Sequence, residues 1–211
     1  MKPAESLWST KGQAQGQMQA LDSAHMKAIR NYLATNGSPR DRALFAVGLD
    51  SMLRGGDLCR LRVADVIDHC GNVRESITVV QGKISSGKPH SVVVYLTAET
   101  RELVSTLIAS ETKSGAAYLF TGKGRTTHLS TDQLRILVKS WVAAVGLDPG
   151  THANHTLRRT KATALYRTTK DIELVRRALG HAYLSSTQAY LSCWVGSSAC
   201  CMLMPKTLAG R

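Results

Sequence analysis

The chain has 211 residues, with 27 Lys and Arg against 15 Asp and Glu, and a formal net charge of +12. That length suits one ordinary domain, and a hydrophobic content of 43% is enough to build a core, which excludes wholesale disorder. No apolar run reaches the roughly 18 residues of a membrane span, and the N-terminal stretch lacks the apolar segment of a secretory signal. The surplus of positive charge points to a polyanionic partner, because exposed Lys and Arg replace the counterions condensed on phosphate. These features describe a soluble, basic, intracellular protein.

The cysteines agree with that compartment. Cys59, Cys70, Cys193, Cys200 and Cys201 are odd in number and irregularly spaced, which does not resemble a disulfide framework. A zinc site built on His69 and Cys70, or on the three C-terminal cysteines with His181, lacks the spaced ligand pairs of a tetrahedral centre. Reduced thiols are expected, and no metal.

In chain order, residues 1–20 are polar and Gln/Gly-rich, and read as a flexible arm. Asp22 or Ser23 caps a helix running to about Thr35, which Asn36-Gly37 ends. Pro39 opens a second helix carrying Ala43, Leu44, Val47 and Leu53, and Leu58, Leu61 and Val63 continue as a short helical stretch. Three β-like pieces follow at about 63–68, 74–81 and 91–96, the last two joined as a hairpin by the polar segment Gly82 to Pro89. Helical periodicity returns at Leu103, Leu107 and Ile108, again at Leu134, Leu137, Val138 and Trp141, then over about 155–168 and 171–179 before Gly180. The expected architecture is α+β: a mainly helical domain over 21–191 with a small three-stranded antiparallel sheet. Residues 192–211 form a tail.

Six residues stand out by context: Arg54, Lys83, His155, Arg158, His181 and Tyr190. Taken singly, each fits an ordinary role. Arg54 suits a solvated helix face, Lys83 a hairpin tip, His181 a position just past a helix end, and Tyr190 a core ring with a surface hydroxyl. A spacing of three puts His155 and Arg158 on one helix face, where both can address one anion.

Their order along the chain is the stronger signal. The words Leu53-Arg54-x-x-Asp57-Leu58-x-x-Leu61, His155-x-Leu157-Arg158-Arg159-Thr160 and Leu179-Gly180-His181-x-x-x-x-Ser186-Thr187-x-x-Tyr190, with Lys83 on a hairpin between them, resemble the catalytic domain of the tyrosine recombinases, the lambda-integrase-like phage integrases. The resemblance covers about residues 21–191.

It implies a site-specific recombinase of the integrase or invertase type. Such an enzyme cleaves and rejoins DNA through a 3′-phosphotyrosyl intermediate and exchanges strands through a Holliday junction, with no ATP, metal or other cofactor. Tyr190 would be the nucleophile and Arg54 and Arg158 the clamp on the non-bridging oxygens. His155 would serve as base or proton relay, His181 as a hydrogen-bond donor to the phosphate, and Lys83 as the acid that protonates the departing 5′ oxygen. Asp57 would orient the arginine and a neighbouring histidine, although it stands where Glu is more usual. Lys88 is a second lysine on the same hairpin. Arg60, Arg62, Lys88, Arg159, Lys161, Arg167, Arg176 and Arg177 are candidates for a phosphate-facing surface.

The implied partner is double-stranded DNA with paired recombination sites, bound by a homotetramer and helped by an accessory DNA-bending protein. No membrane is involved, and the implied setting is the nucleoid of a bacterial cell, phage or other mobile element. About 20 residues precede the catalytic domain, which fits either the short members similar to the fimbrial-switch invertases or a fragment or degraded copy. Trp194 to Met204 is apolar enough to dock on a neighbouring protomer or to pack on its own domain. Two further readings stay open: a type IB topoisomerase-like relaxing activity, and a DNA-binding regulator or inactive remnant with the same fold.

Overall fold

A computed structural model describes residues 18–82, 90–111, 117–122 and 126–191. Nine α-helices, one short 3-10 helix and two strands are named among them. The first helices begin where side-chain caps satisfy free backbone donors. Asp22 accepts the His25 N–H at 2.7 Å and starts α1, Ser23–Asn36, while Ser38 accepts the Asp41 N–H at 3.1 Å ahead of α2, Pro39–Ser51.

α2 is buried continuously from Ala43 to Ser51 and is the axis of the main core. Around it lie α1, α5 (Ala98–Glu111), α6 (Thr131–Ala144) and α7 (Asn154–Thr169). Phe45 of α2 meets Trp141 of α6 edge-to-face at 5.7 Å. Gly48 permits the close approach of α7: a Cβ there would stand 2.7 Å from Leu157 Cδ1. At the end of α2, Asp50 accepts from the Thr97 N–H and from the hydroxyls of Thr97 and Thr100, fixing the start of α5.

After α2 the chain turns through Met52, whose φ of 49° is left-handed, into the short helices α3 (Gly55–Cys59) and α4 (Val63–Val66). The sheet is antiparallel, with β1 (Ser76–Gln81) against β2 (His90–Tyr95) in a register running from Ser76 opposite Tyr95 to Gln81 opposite His90. The inner face holds Ile77, Val79, Val92 and Val94.

Among the described residues the sheet has two strands, not the three expected. The piece at 63–68 is α4 followed by a single bridge from Ile67 to Val73. The Asp65 carboxylate accepts the Arg62 N–H at 2.7 Å, and burial of Val63 and Val66 three residues apart fits one helical turn.

Beyond α7, α8 (Ile172–Leu179) and α9 (Leu184–Leu191) close a second, smaller apolar cluster made by Ala162, Val175, Leu179 and Leu191, with Met52, Tyr166 and Tyr190 packed on it. Asp171 caps α8, and Gly180 ends it with a φ of 64°. No described helix is long and apolar enough to cross a membrane. Cys59 is buried, and burial pushes its thiol up to about 12; Cys70 is exposed. Cys193, Cys200, Cys201, the N-terminal arm up to residue 17 and the tail from 192 lie outside the described residues.

Candidate active site

The end of α2, the end of β1, the first half of α7, the α8 terminus and α9 meet at one place. Arg54 is the residue just ahead of α3 and is half-buried, its guanidinium donating to the side-chain carbonyl of Gln81. Arg158, in α7, is only 2% exposed. Its Nη1 donates to the Met52 carbonyl at 2.5 Å and its Nη2 to the Leu179 carbonyl at 2.7 Å. Those acceptors are available because a left-handed residue ends α2 and a glycine ends α8, leaving carbonyls without helical partners. Burial lowers the Arg158 guanidinium to about 10, with the nearby Tyr190 opposing that shift.

His181 follows the Gly180 turn. Its Nδ1 lies 3.0 Å from the buried Thr187 hydroxyl, and its Nε2 lies 3.5 Å from Arg158 Nη2. Since the guanidinium can only donate, Nε2 faces it as an acceptor and Nδ1 carries the proton. Burial, followed by the charges of Arg158, Arg54 and Arg176, brings His181 down to about 4. The ring is therefore neutral at physiological pH.

Tyr190, on α9, meets the His181 ring edge-to-face at 5.6 Å, and its hydroxyl donates to the His155 carbonyl at 3.5 Å. Burial raises the phenol above its ordinary value, while Arg158 and Arg159 pull the other way. His155 itself is exposed in the first turn of α7, so the His155–Arg158 pair divides between surface and interior. Lys83 and Lys88 lie outside the described residues.

Asp57 is buried in α3. Its Oδ1 accepts the Gly82 N–H at 3.0 Å and an Arg60 Nη2–H at 3.1 Å, whereas Oδ2 has no hydrogen-bond partner. Its hydrogen bonds therefore go to the hairpin entrance and to Arg60, not to Arg54 or a histidine.

The candidates for a phosphate-facing surface divide. Arg60, Arg62, Arg167 and Arg177 are exposed, Arg62 with its guanidinium 4.9 Å from the Tyr118 ring centre. Three others are placed otherwise than expected. Arg159 is 6% exposed and stacks its guanidinium 4.5 Å from the Tyr190 ring centre. Arg176 forms a two-pronged pair with Glu173 at 2.6 and 2.7 Å and donates to the His181 carbonyl at 2.5 Å. Lys161 sits 3.8 Å from the buried Asp50 carboxylate. A count of charges carries no information on burial, and burial separates these from the rest.

Sequence reasoning did not pick out Gln81. It is 3% exposed, and its amide links Arg54 to the Leu179 carbonyl. The signal was a polar residue continuing the inward alternation of Ile77 and Val79.

Residues 19–193 match the sequence model of the phage integrase family. The chain belongs to that family. It is 32% identical to the tyrosine recombinase XerD of Xanthomonas axonopodis pv. citri over 166 residues, which is 75% of this chain and 52% of that protein. Its fold matches a crystal structure of XerA recombinase with a TM-score of 0.68 at 22% identity, over 83% of this chain and 60% of that one. The XerH recombinase bound to palindromic difH substrate, in a post-cleavage complex, matches with a TM-score of 0.66 at 20% identity, covering 83% and 50%. The integrase family member described here thus has the fold of these recombinases, and spans about half the length of the curated relatives it matches.

Proposed function

We propose that this phage integrase family member cleaves and rejoins double-stranded DNA at specific sites through a covalent link between Tyr190 and a 3′ phosphate. The observation that carries the reading is the meeting of Arg54, Arg158, His181 and Tyr190 at one place, built from elements far apart in sequence.

A phosphodiester carries a negative charge that repels nucleophiles, and further charge gathers on its oxygens in the transition state. Arg54 and Arg158 answer that charge with planar forks that a lysine could not reproduce. Tyr190 loses its proton as its oxygen bonds to phosphorus, the bond to the 5′ oxygen breaks, and that oxygen takes a proton from Lys83. His155 serves as the base or relay. His181 contributes once the phosphate is present, because an anion favours a proton on the Nε2 that now faces Arg158.

The intermediate keeps the phosphodiester energy, so a 5′ hydroxyl from a partner strand reverses the step. With paired sites this exchanges strands through a Holliday junction, in a homotetramer assembled on DNA and helped by an accessory DNA-bending protein. The transposon right-end DNA bound to the Tn1549 transposon integrase, whose fold is similar, supports DNA as the partner.

The test is a duplex nicked beside the scissile phosphate, which traps the adduct because the short 5′ fragment diffuses away. A protein–DNA adduct that disappears in Tyr190→Phe is expected. Specific binding with every such substrate left intact sinks the reading, and supercoil relaxation without junction formation would move it to a topoisomerase.

A further inference from the structure

α7 carries two consecutive arginines, and both are inside. Neighbouring residues on a helix point about 100° apart, so Arg158 and Arg159 serve different surroundings. The partners of Arg158 are two main-chain carbonyls. Those of Arg159 are not: its Nε and Nη1 are buried without an acceptor. Burial of a guanidinium is unfavourable unless something anionic or electron-rich compensates it. What faces Arg159 is the Tyr190 ring, 4.5 Å from its charged centre, and a ring face is the electron-rich side of a phenol. The His181 edge meets the same ring at 82°. The ring is thus gripped by two groups, while its hydroxyl has one long bond to the His155 carbonyl.

Resting on the reading of Tyr190 as nucleophile, we propose that Arg159 is a positioning residue that holds the Tyr190 ring by its face and favours the phenolate over the phenol. The cation–π contact fixes where the oxygen points. When the proton leaves, the new negative charge finds beside it a guanidinium with two unmatched buried donors, so ionisation supplies the anion that those donors lack. Burial opposes ionisation of Tyr190, and the charges of Arg158 and Arg159 counter it. Both arginines act on the Tyr190 hydroxyl, but Arg158 is also held by two carbonyls, whereas Arg159 keeps two buried donors without an acceptor.

The experiment uses the full chain with ¹³Cζ-labelled tyrosine, the Tyr190 resonance being assigned by its loss in Tyr190→Phe. Arg159→Met keeps much of the bulk and removes the charge, Arg159→Gln removes the charge and keeps a polar group, and Arg159→Lys keeps the charge without the flat fork. In both neutral variants the Tyr190 ionisation should move up by about one unit, and adduct formation at neutral pH should fall about tenfold, recovering as pH rises. Arg159→Lys should return part of that shift. If Arg159→Met fails to fold, Arg159→Gln decides. A folded neutral variant whose Tyr190 titrates as in the wild type, or whose adduct formation keeps the wild-type pH profile, overturns the proposal. Adduct formation that persists in Tyr190→Phe overturns the nucleophile reading instead, whereas the titration reports on Arg159 without any DNA.

Discussion

Gln81 and Arg158 donate to the same acceptor, the main-chain carbonyl of Leu179, at 3.5 and 2.7 Å. Because the other end of the Gln81 side chain accepts from Arg54, the last residue of α8 anchors Arg158 directly and Arg54 through the Gln81 amide. The same amide sets Arg54 against the end of β1. The placing of Arg54 beside Arg158 therefore depends on a neutral side chain.

Gln81→Ala should lower stability by about 1–3 kcal/mol, the cost of stranding buried polar partners. It should slow adduct formation by about a hundredfold, the scale of a 1 Å misplacement of reacting groups. Gln81→Glu keeps the acceptor for Arg54 but sets a carboxylate oxygen against the Leu179 carbonyl, so it should lose stability and also cleave poorly, its charge repelling the phosphate. Denaturant melts and single-turnover adduct formation check both; wild-type cleavage by folded Gln81→Ala would remove the amide from the mechanism.

Asp57 holds the Gly82 N–H at the hairpin entrance, so the acceptor counts for more than the charge. Asp57→Asn, which retains an acceptor, should cleave faster than Asp57→Ala, with DNA binding similar in the two. Arg60 makes the other contact with a side chain 53% exposed, so Arg60→Gln should cost under about 1 kcal/mol of stability. If Arg60 meets a phosphate, its removal should flatten the salt dependence of DNA affinity by about one ion. Comparing adduct yields, and titrating affinity against salt, tests the pair.

His181 gives stability a pH dependence of defined sign. Its native pKa of about 4 lies below the ordinary histidine value, so between the two the unfolded chain binds more protons than the folded one. Stability should fall as pH drops from about 6.5 towards 4, and level off beneath that window. In His181→Gln this part of the decline should be absent. Urea midpoints measured from pH 4 to 7 decide, and parallel curves for the two proteins would rule out the assignment.

The approach of α2 to α7 can be tested by volume. Gly48→Val should destabilise by about 1–3 kcal/mol through overpacking against Leu157 and Leu58. Leu157→Ala in the same chain should recover part of that loss, because the two substitutions share one space. Additive losses in a double-mutant cycle would show that the contact is not the cause.

Much of the helical frame was legible because its ends are local events: Asp22, Pro39 and Gly180 each stop or start a helix through their own side chain or φ. The residues 63–68 were misread because a four-residue run with two valines suits a strand as well as a helical turn, and the Asp65 cap that decides it acts through backbone. The arginines, His181 and Tyr190 were legible as an ordered set of words. Arg159 and Arg176 were not, since their partners, Tyr190 and the His181 carbonyl, are set by how α7, α8 and α9 pack. Gln81 escaped because one polar residue at a strand end reads as the start of a turn until the fold closes over it.

Tyr190 rides on α9 and His181 on the turn between α8 and α9, and these helices share a cluster built from Ala162, Val175, Leu179 and Leu191, while the main core runs through α2. The α8–α9 pair therefore opens at less free energy than the bulk. On gentle warming the chain should lose its ability to cut while its far-ultraviolet spectrum still reports a folded protein. If Tyr190 cuts DNA as proposed, whatever steadies α9 acts directly on turnover, and the reaction is tied to the part of the molecule most readily switched off.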